Sequence, residues 1–213
     1  REFKDVHGLA EVVGGTTTQQ EISASTPADG SVSGRVVPVR LLADNPEAKA
    51  RTKKEFVLQG PSFGLIDCDE AGITRDELVA MLHKVAPGLA GAGAVWLPSG
   101  SSHICHGDKD LTGLRGQHIY VMVKDVADWP RVLKVLARRL WLAEHGSVKV
   151  SKSGAVLTRC PVDTAVGDCA RLVFSGGAIA VAPLEQRRGK PVVLSEGGFL
   201  DTAKAIPDLA DEE

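Results

Sequence analysis

The sequence predicts an α+β domain, because two kinds of segment follow one another after residue 60. Short apolar runs bounded by Gly and Pro are typical of buried strands. Longer segments with apolar residues at helical spacing, each preceded by a capping residue, are typical of amphipathic helices. The 213 residues are 43% hydrophobic and 24% charged, which is a globular composition with enough apolar residues for a sizeable core.

Composition excludes several classes of protein. The formal charge is −2 at pH 7, so any polyanionic partner has to meet a local basic surface. The cysteines, at positions 68, 105, 160 and 169, form no CxxC pair, which argues against a zinc ribbon and indicates reduced thiols. Neither a membrane-spanning run nor a secretory signal is present, so we expect a cytoplasmic protein without a membrane partner. The first residue is Arg1 rather than Met, and we expect a piece of a longer protein.

Residues 1–60 are expected to pack on the core as an N-terminal α/β segment. The first 35 residues are weakly patterned and rich in Gly, Ser, Thr and Gln. Residues 35–43 alternate well enough for a strand, which Pro38 places at a sheet edge. Basic residues follow at Lys49, Arg51, Lys53 and Lys54; we favour a solvated face over a nucleic-acid contact for them.

Residues 61–190 carry the clearest pattern. The run FGLID, from Phe63, predicts a buried strand. A helix begins after Thr74, which forms a capping box with Glu77, and ends at Pro87. Two further strands are predicted over residues 93–102 and 118–125, and the second of these is strongly β-prone.

A second amphipathic helix is predicted over residues 128–146, with Asp128 as its cap and Gly146 as its stop. Two short strands, 147–153 and 154–166, follow it. The order strand, helix, strand, strand, helix, strand predicts a split βαβ, ferredoxin-like or RRM-like fold. Both helices then cover one face of an antiparallel sheet and leave the other face for a site. Residues 191–213 are expected to form a C-terminal tail.

Two acids, Asp67 and Asp69, end the first predicted strand. Because side chains alternate along a strand, both point to one side of the sheet and Cys68 points to the other. Carboxylates about 7 Å apart repel each other unless a cation lies between them, and hard oxygen ligands suit Mg²⁺ or Mn²⁺. The alternative is a solvated pair at a strand exit. A third acid, Asp163, ends an apolar approach in the last predicted strand, or is a turn residue after Pro161.

A glycine-flanked turn precedes the third strand, in the run TGLRGQHIYVMV. Gly113 and Gly116 permit close approach of a phosphate group, and Arg115 offers a planar fork of donors. His118, at the mouth of the strand, can hydrogen-bond a phosphate oxygen. The plainer interpretation of His118 is a half-buried sheet residue.

Together these segments resemble the three motifs of the archaeo-eukaryotic primase superfamily: Asp67-Cys68-Asp69, the run from Gly113 to Val121, and Val162-Asp163. The polymerase domains of bacterial end-joining ligases carry a similar second motif. Primase domains of bacterial plasmids, phages and mobile elements are more similar still, through the strings SGSSHI (99–104), VSKSGA to VD (150–163) and ARLVFSGGA (170–178). The resemblance covers residues 63–184.

The resemblance implies an RRM-like catalytic core that performs two-metal, template-directed nucleotide addition. Asp67, Asp69 and Asp163 would bind the catalytic Mg²⁺ or Mn²⁺, and His118 would contact the phosphates of the nucleotide. Further nucleotide contacts would come from Arg115, Gly116, Ser101, Ser102, His103 and Lys152. Either His118 or His103 is the motif histidine; we prefer His118 because the strand and helix that follow it match the family pattern. The turn departs from that pattern in being led by Thr112-Gly113 rather than Ser-Gly.

The implied partners are nucleoside triphosphates, a single-stranded or primed DNA template, and a helicase domain in the parent protein. Template contacts would use basic residues of the second helix and the strands after it: Arg131, Lys134, Arg138, Arg139, Lys149, Lys152 and Arg159. Two other functions stay open. One is a metal-dependent phosphodiesterase or nuclease with the same carboxylates, and the other is a non-catalytic replication-initiator module that binds nucleic acid.

Overall fold

The computed structural model describes residues 2–31 and 34–209. Its helices are α1 (Val6–Gly14), α2 (Arg75–Val85), α3 (Trp129–Leu142) and α4 (Thr202–Ala205). Its strands are β1 (Thr26–Pro27), β2 (Val36–Val37), β3 (Lys49–Ala50), β4 (Phe56–Val57), β5 (Ser62–Cys68), β6 (Gly93–Pro98), β7 (Ile104–His106), β8 (Lys109–Asp110), β9 (Gln117–Val123), β10 (Ser147–Val150), β11 (Val156–Arg159), β12 (Leu184–Gln186) and β13 (Val192–Glu196). The predicted α+β class is confirmed.

The core is a four-stranded antiparallel sheet in the order β13-β6-β9-β5. Every residue of β9 is buried, and β9 pairs with β5 on one side and with β6 on the other. Helix α2 connects β5 to β6 in the chain, but β9 lies between these two strands in the sheet. This arrangement brings the end of β5 beside the beginning of β9, where the candidate residues lie.

Helices α2 and α3 contact each other and cover one face of the sheet. Trp129, the first residue of α3, lies directly against β5: a Cβ atom at Gly64 would be 2.1 Å from Cδ2 of its ring. The indole Nε1 of Trp129 donates to the carbonyl of Leu65 at 2.9 Å. On the same face Cys68 is fully buried, as its place between the two acids predicted.

The two predicted helix starts differ in how they are capped. Thr74 caps α2, and its hydroxyl and the carboxylate of Glu77 form the predicted capping box. Asp128 directly precedes α3, but its carboxylate makes no capping bond to the backbone. It accepts hydrogen bonds from Arg131 and Thr202 instead, so the prediction of a side-chain cap is wrong because stronger donors lie within reach.

The last predicted strand is shorter than expected and lies elsewhere. It ends at Arg159 and pairs with β10 in a two-stranded ribbon outside the central sheet. Asp163 does not lie in a strand: it precedes the 3₁₀ turn Thr164–Gly167, and its carboxylate accepts from the N–H of Ala165 at 2.8 Å. Pro161 has no N–H group with which to form a strand-pairing hydrogen bond. The segment contacts β5 through a hydrogen bond from the N–H of Asp163 to the carbonyl of Asp67, at 3.0 Å. As a result β5 lies at the edge of the central sheet, whereas the first strand of the predicted ferredoxin-like fold would be central, between the third and fourth strands.

Segments outside residues 61–190 contribute to the same core. Helix α1 buries Val6, Leu9 and Val13 and contacts β6 and β13. Strand β13 lies beside β6, in a stretch where the sequence predicts only a tail; residues 210–213 of that tail lie outside the described residues. The strand predicted over 35–43 is reduced to β2, because the chain enters a 3₁₀ turn directly after Pro38. Among the described residues, no helix combines the length and apolar character needed to cross a membrane.

Candidate active site

A cleft of about 470 Å³ opens on the sheet face that carries Asp67 and His118. Strand β5 and the residue that follows its end supply the acids, and the loop after β6 supplies polar and small residues. A segment that crosses the open side of the sheet contributes cationic and aromatic groups. The lining residues are Arg51, Leu65, Asp67, Asp69, Ser99, Gly100, Ser101, His118, Val166, Arg171, Leu172, Val173 and Phe174.

Asp67 and His118 lie directly opposite each other in the pairing of β5 with β9. Asp67 Oδ1 is 3.4 Å from His118 Nε2, and the two side chains are only 14% and 10% exposed. Burial, reinforced by Asp69 and Asp163, raises the pKa of Asp67 to about 7. Burial, reinforced by Arg188, lowers the pKa of His118 to about 4. Near neutral pH the imidazole is therefore uncharged, and its contact with the carboxyl group is not an ion pair.

One oxygen of Asp67 has no hydrogen-bond partner within the part of the chain that the structure describes. Oδ1 of Asp67 is buried. It lies 3.4 Å from Nε2 of His118, but the geometry of this contact is not that of a hydrogen bond. A buried, unpaired carboxylate oxygen is costly, so such an atom in a cleft indicates a position where a ligand or cation would add stability.

Asp69 extends beyond the end of β5 and lies over the turn that precedes β9. A Cβ atom at Gly116 would be 2.6 Å from Asp69 Oδ1 and 2.8 Å from the Ser99 hydroxyl, so only glycine leaves room for both. The buried hydroxyl of Ser102 holds this turn: it accepts from the N–H groups of Arg115 (3.0 Å) and Gly116 (3.2 Å) and donates to the carbonyl of Gly116 (2.9 Å). Ser102 and Gly116 thus shape the site from behind.

Asp163 approaches the acid pair through its backbone, and its carboxylate is engaged elsewhere. One oxygen accepts from the N–H of Ala165, and the other lies 4.0 Å from Arg171 Nη2. Its charge is nevertheless near enough to raise the pKa of Asp67. Within residues 2–31 and 34–209, no three Asp, Glu, His or Cys side chains form a group that could hold a metal ion.

A chain of buried polar groups lies behind His118. Its Nδ1 is 3.2 Å from the hydroxyl of Tyr120, which is 2.7 Å from the hydroxyl of Ser175. Arg188 donates to the carbonyls of Ser175 and Pro98 and so connects this chain to the end of β6. None of these roles was predicted from the sequence. Tyr120 and Ser175 lie within two matched strings, Gly113 to Val121 and ARLVFSGGA, whereas no signal pointed to Arg188.

The cationic side of the cleft comes from distant parts of the chain. Arg51, in a basic cluster for which we favoured solvation, lines the cleft, and its Nε donates to the carbonyl of Ala170 at 2.9 Å. Arg171 and Phe174 line it as well, and the Phe174 ring is 60% exposed. Two arginines and an exposed ring thus face the two acids across one cleft.

The remaining predicted nucleotide-binding residues lie at different distances from the cleft. Ser101 lines it, with its hydroxyl 3.0 Å from that of Ser99. His103 does not: its Nδ1 is 2.8 Å from Asp110 beside the β7–β8 hairpin, and this bond lowers the pKa of Asp110. Arg115 is exposed on the turn, and Lys152 is exposed between β10 and β11.

Two arginines of α3 that were expected to contact a template have internal partners. Arg131 binds Asp128, Asp208 and the carbonyl of Ile206. Arg139 donates to the carbonyls of Val85 and Pro207. Both therefore hold the chain after α4 against α3, whereas Lys134 and Arg138 are exposed.

No family model, no curated protein and no solved structure matches this chain. The chemistry of the cleft therefore has to be inferred from its own residues. Two carboxyl groups, a neutral imidazole and two guanidinium groups around one opening could hold a divalent cation beside a polyphosphate.

Proposed function

We propose that this chain is the catalytic domain of a DNA primase-polymerase of the archaeo-eukaryotic primase type, which adds nucleotides to a growing strand under the direction of a template. The observation that carries the proposal is the cleft, in which Asp67 and Asp69 meet His118 on one side and Arg51 and Arg171 on the other. The order of the motifs along the sequence agrees with it. The unit β5-α2-β6-β9-α3 supports an RRM-like core, from which the position of β13 and the turn at Asp163 depart.

Asp67 and Asp69 would hold Mg²⁺ or Mn²⁺. The buried, unpaired Oδ1 of Asp67 and the neighbouring acids that raise the pKa of Asp67 support this, because a divalent cation would supply the missing partner and offset the repulsion. Asp163 would join them when its carboxylate turns away from the N–H of Ala165. The bound cation supplies Lewis-acid stabilisation of the charge that develops on the transferred phosphate.

His118 would act as an uncharged hydrogen-bond donor to a phosphate oxygen. When the hydroxyl of Tyr120 donates to Nδ1 of His118, the ring proton resides on Nε2, the atom that faces Asp67 and the cleft. The hydroxyl of Ser175, 2.7 Å from that of Tyr120, can satisfy the second bond of the phenol. These hydrogen bonds through Tyr120 and Ser175 would fix both the tautomer and the orientation of the His118 imidazole.

Arg51 and Arg171 would bind the phosphates of a nucleoside triphosphate, since guanidinium groups match phosphate geometry. The exposed ring of Phe174 offers a surface on which a base can stack. In the reaction a 3′-hydroxyl attacks the α-phosphate, one phosphoester bond forms, and the bond to the leaving pyrophosphate breaks. The cleft would position the triphosphate for this step.

The test is template-directed incorporation of a labelled nucleotide into a primed strand, with Mg²⁺ or Mn²⁺ present. We expect the wild type to extend the primer and the double variant Asp67→Asn with Asp69→Asn to be inactive, because the cation would lose its ligands. Asp108→Asn, an exposed acid in the turn between β7 and β8, is the matched control and should retain activity. Incorporation that persists in the double variant would refute the proposal.

A metal-dependent phosphodiesterase would use the same acid pair, and the same experiment separates it. A labelled primer that shortens in the presence of the cation, without ever being extended, would favour the phosphodiesterase. Binding of the primed strand, without extension or shortening of the primer, would favour the non-catalytic initiator module.

A further inference from the structure

The ribbon formed by β10 and β11 is the most exposed regular structure of the described chain. All eight of its strand residues are exposed, although the two strands are paired along their whole length, from Ser147 with Arg159 to Val150 with Val156. An isolated pair of strands is marginally stable by itself, so an exposed ribbon is costly to maintain unless a partner uses it.

The two faces of the ribbon differ in chemistry. Residues directly opposite each other in an antiparallel pair point to the same side, and successive residues alternate. One face therefore carries Val148, Val150 and Val156, which are 58%, 65% and 69% exposed. The other face carries Lys149 and Arg159, opposite Leu157 and Ser147 respectively, and Lys152 lies in the connecting turn.

The charge of this region has a single sign. From residue 147 to residue 162 the chain contains Lys149, Lys152 and Arg159 and no acid. Among the ion pairs that the described residues form, none involves these three side chains, in contrast to the engaged Arg131 of α3. Exposed cations without an internal acid are available to a polyanion.

The base of the ribbon extends this basic surface towards α3. The thiol of Cys160, the residue after β11, donates to the carbonyl of Ala137 at 3.8 Å. Lys134 and Arg138 lie three residues before and one residue after Ala137, and both are exposed. The ribbon therefore rises beside the exposed basic part of α3.

The ribbon is also close to the candidate active site. Arg159 and Asp163 are only four positions apart in the chain, so their Cα atoms lie at most about 14 Å apart. Asp163 in turn bonds to the backbone of Asp67. A strand of nucleic acid that follows the ribbon would reach the edge of the sheet at which the cleft opens.

We propose that the β10–β11 ribbon is a nucleic-acid-binding element. Its basic face, with Lys149, Lys152 and Arg159, contacts the phosphates of a DNA strand. The direction of that strand, towards the cleft, rests on the proposed function, whereas the binding itself does not. Contacts of this kind are independent of base sequence and weaken as salt rises.

The test measures fluorescence anisotropy of a short labelled single strand, and of the same sequence as a duplex, without nucleotide or metal. The ribbon variant is Lys149→Gln with Lys152→Gln and Arg159→Gln. The matched control removes the same charge from three exposed lysines elsewhere: Lys4→Gln, Lys84→Gln and Lys190→Gln. Because the replaced side chains are exposed, both variants should fold, which circular dichroism verifies.

We expect the ribbon variant to bind the single strand at least about tenfold more weakly at low salt, and the control variant to bind like the wild type. The slope of log affinity against log salt should become shallower by roughly 2 in the ribbon variant, since each single-strand phosphate contact contributes about 0.7. Equal losses in the two variants, or no loss in the ribbon variant, would overturn the proposal.

A third variant, Val148→Ser with Val150→Ser and Val156→Ser, distinguishes a charged from an apolar partner. It should retain the DNA affinity of the wild type. If this variant loses DNA binding while the glutamine variant does not, or if the glutamine variant loses only binding to anionic vesicles, the proposal is wrong. Weak DNA binding by the ribbon variant, combined with a wild type that never extends a primer, would refute the proposed function and leave the ribbon inference standing.

Discussion

Replacing Asp67 by Asn should stabilise the metal-free protein, and the gain should grow with pH. The Asp67 side chain is 14% exposed, and its buried Oδ1 lacks a partner among the described residues. Burial and the neighbouring acids raise the pKa of this carboxyl from its usual 3.8 to about 7. An amide of the same shape fills the position without a charge, so the cost of the buried anion disappears.

The size of the gain follows from the two pKa values. Well below pH 3.8 the carboxyl is protonated in both the folded and the unfolded chain, and its ionisation costs nothing. As the pH rises towards 7, the Asp67 carboxyl ionises in the unfolded chain but stays largely protonated in the folded chain. The free energy of unfolding therefore falls. The shift of about three units corresponds to about 4 kcal/mol of unfolding free energy at pH 8, and to about 2 kcal/mol at pH 5. The advantage of the variant should therefore increase by roughly 2 kcal/mol between these pH values.

Urea denaturation of the wild type and Asp67→Asn, with a chelator present and at several pH values between 5 and 8, measures this difference. Asp108→Asn is the control, because it removes one carboxylate from the exposed turn between β7 and β8 and leaves the cleft unchanged. A variant that is less stable than the wild type at pH 8, or whose advantage is the same at pH 5 and pH 8, would refute the reasoning.

Two further predictions concern the packing of β5 and the identity of the motif histidine. Gly64→Ala places a methyl group 2.1 Å from the ring of Trp129 and should lower the unfolding free energy by about 3 kcal/mol or more. Gly198→Ala, where no atom lies within 4 Å of the new group, should change it little, and equal stability of the two variants in urea would contradict the packing described. His118→Gln should abolish primer extension, whereas His103→Gln should retain it, because His103 binds Asp110 and does not line the cleft. Loss of extension in the His103 variant alone, with His118→Gln active, would reverse the assignment.

The strands β5, β6 and β9 and the helices α2 and α3 could be predicted because each has a strong local signal, whereas the short strands β7 and β8 were not predicted. The capping box at Thr74 and the uninterrupted apolar run of β9 are examples. Helix α1 carried a readable signal as well: Asp5 accepts a capping bond from Gly8, and Val6, Leu9 and Val13 recur at helical spacing. The Gly-rich and Thr-rich residues that follow at 14–18 obscure this signal.

Other features depend on contacts that no local pattern specifies. Strand β13 is a short run whose place is set by pairing with β6, about a hundred residues earlier. Arg51 and Arg171 line one cleft although they are 120 positions apart in the chain. Arg171 lies within the string ARLVFSGGA, but nothing in that string or around Arg51 indicates that the two arginines meet. The sequence left Asp163 either in a strand or in a turn after Pro161, and the structure has the turn: its carboxylate accepts from the N–H of Ala165.

The common side of Asp67 and Asp69 could be predicted, because alternation along β5 places Asp67 and Cys68 on opposite faces, and both acids line the cleft. The predicted fold makes β5 and β9 neighbours, but the register that sets Asp67 opposite His118 does not follow from the order of strands. The polar chain through Tyr120, Ser175 and Arg188 could not, because it joins β9 to two loops that the sequence leaves unassigned.

The most direct test of whether this cleft is a metal and nucleotide site is to measure Mn²⁺ binding by electron paramagnetic resonance. The measurement is made with and without a non-hydrolysable nucleoside triphosphate. We predict that the wild type binds Mn²⁺, that the nucleotide tightens this binding, and that Asp67→Asn with Asp69→Asn removes both effects. Equal Mn²⁺ binding by the wild type and the double variant, or no binding by the wild type in the presence of the nucleotide, would contradict the assignment of this cleft as a metal and nucleotide site.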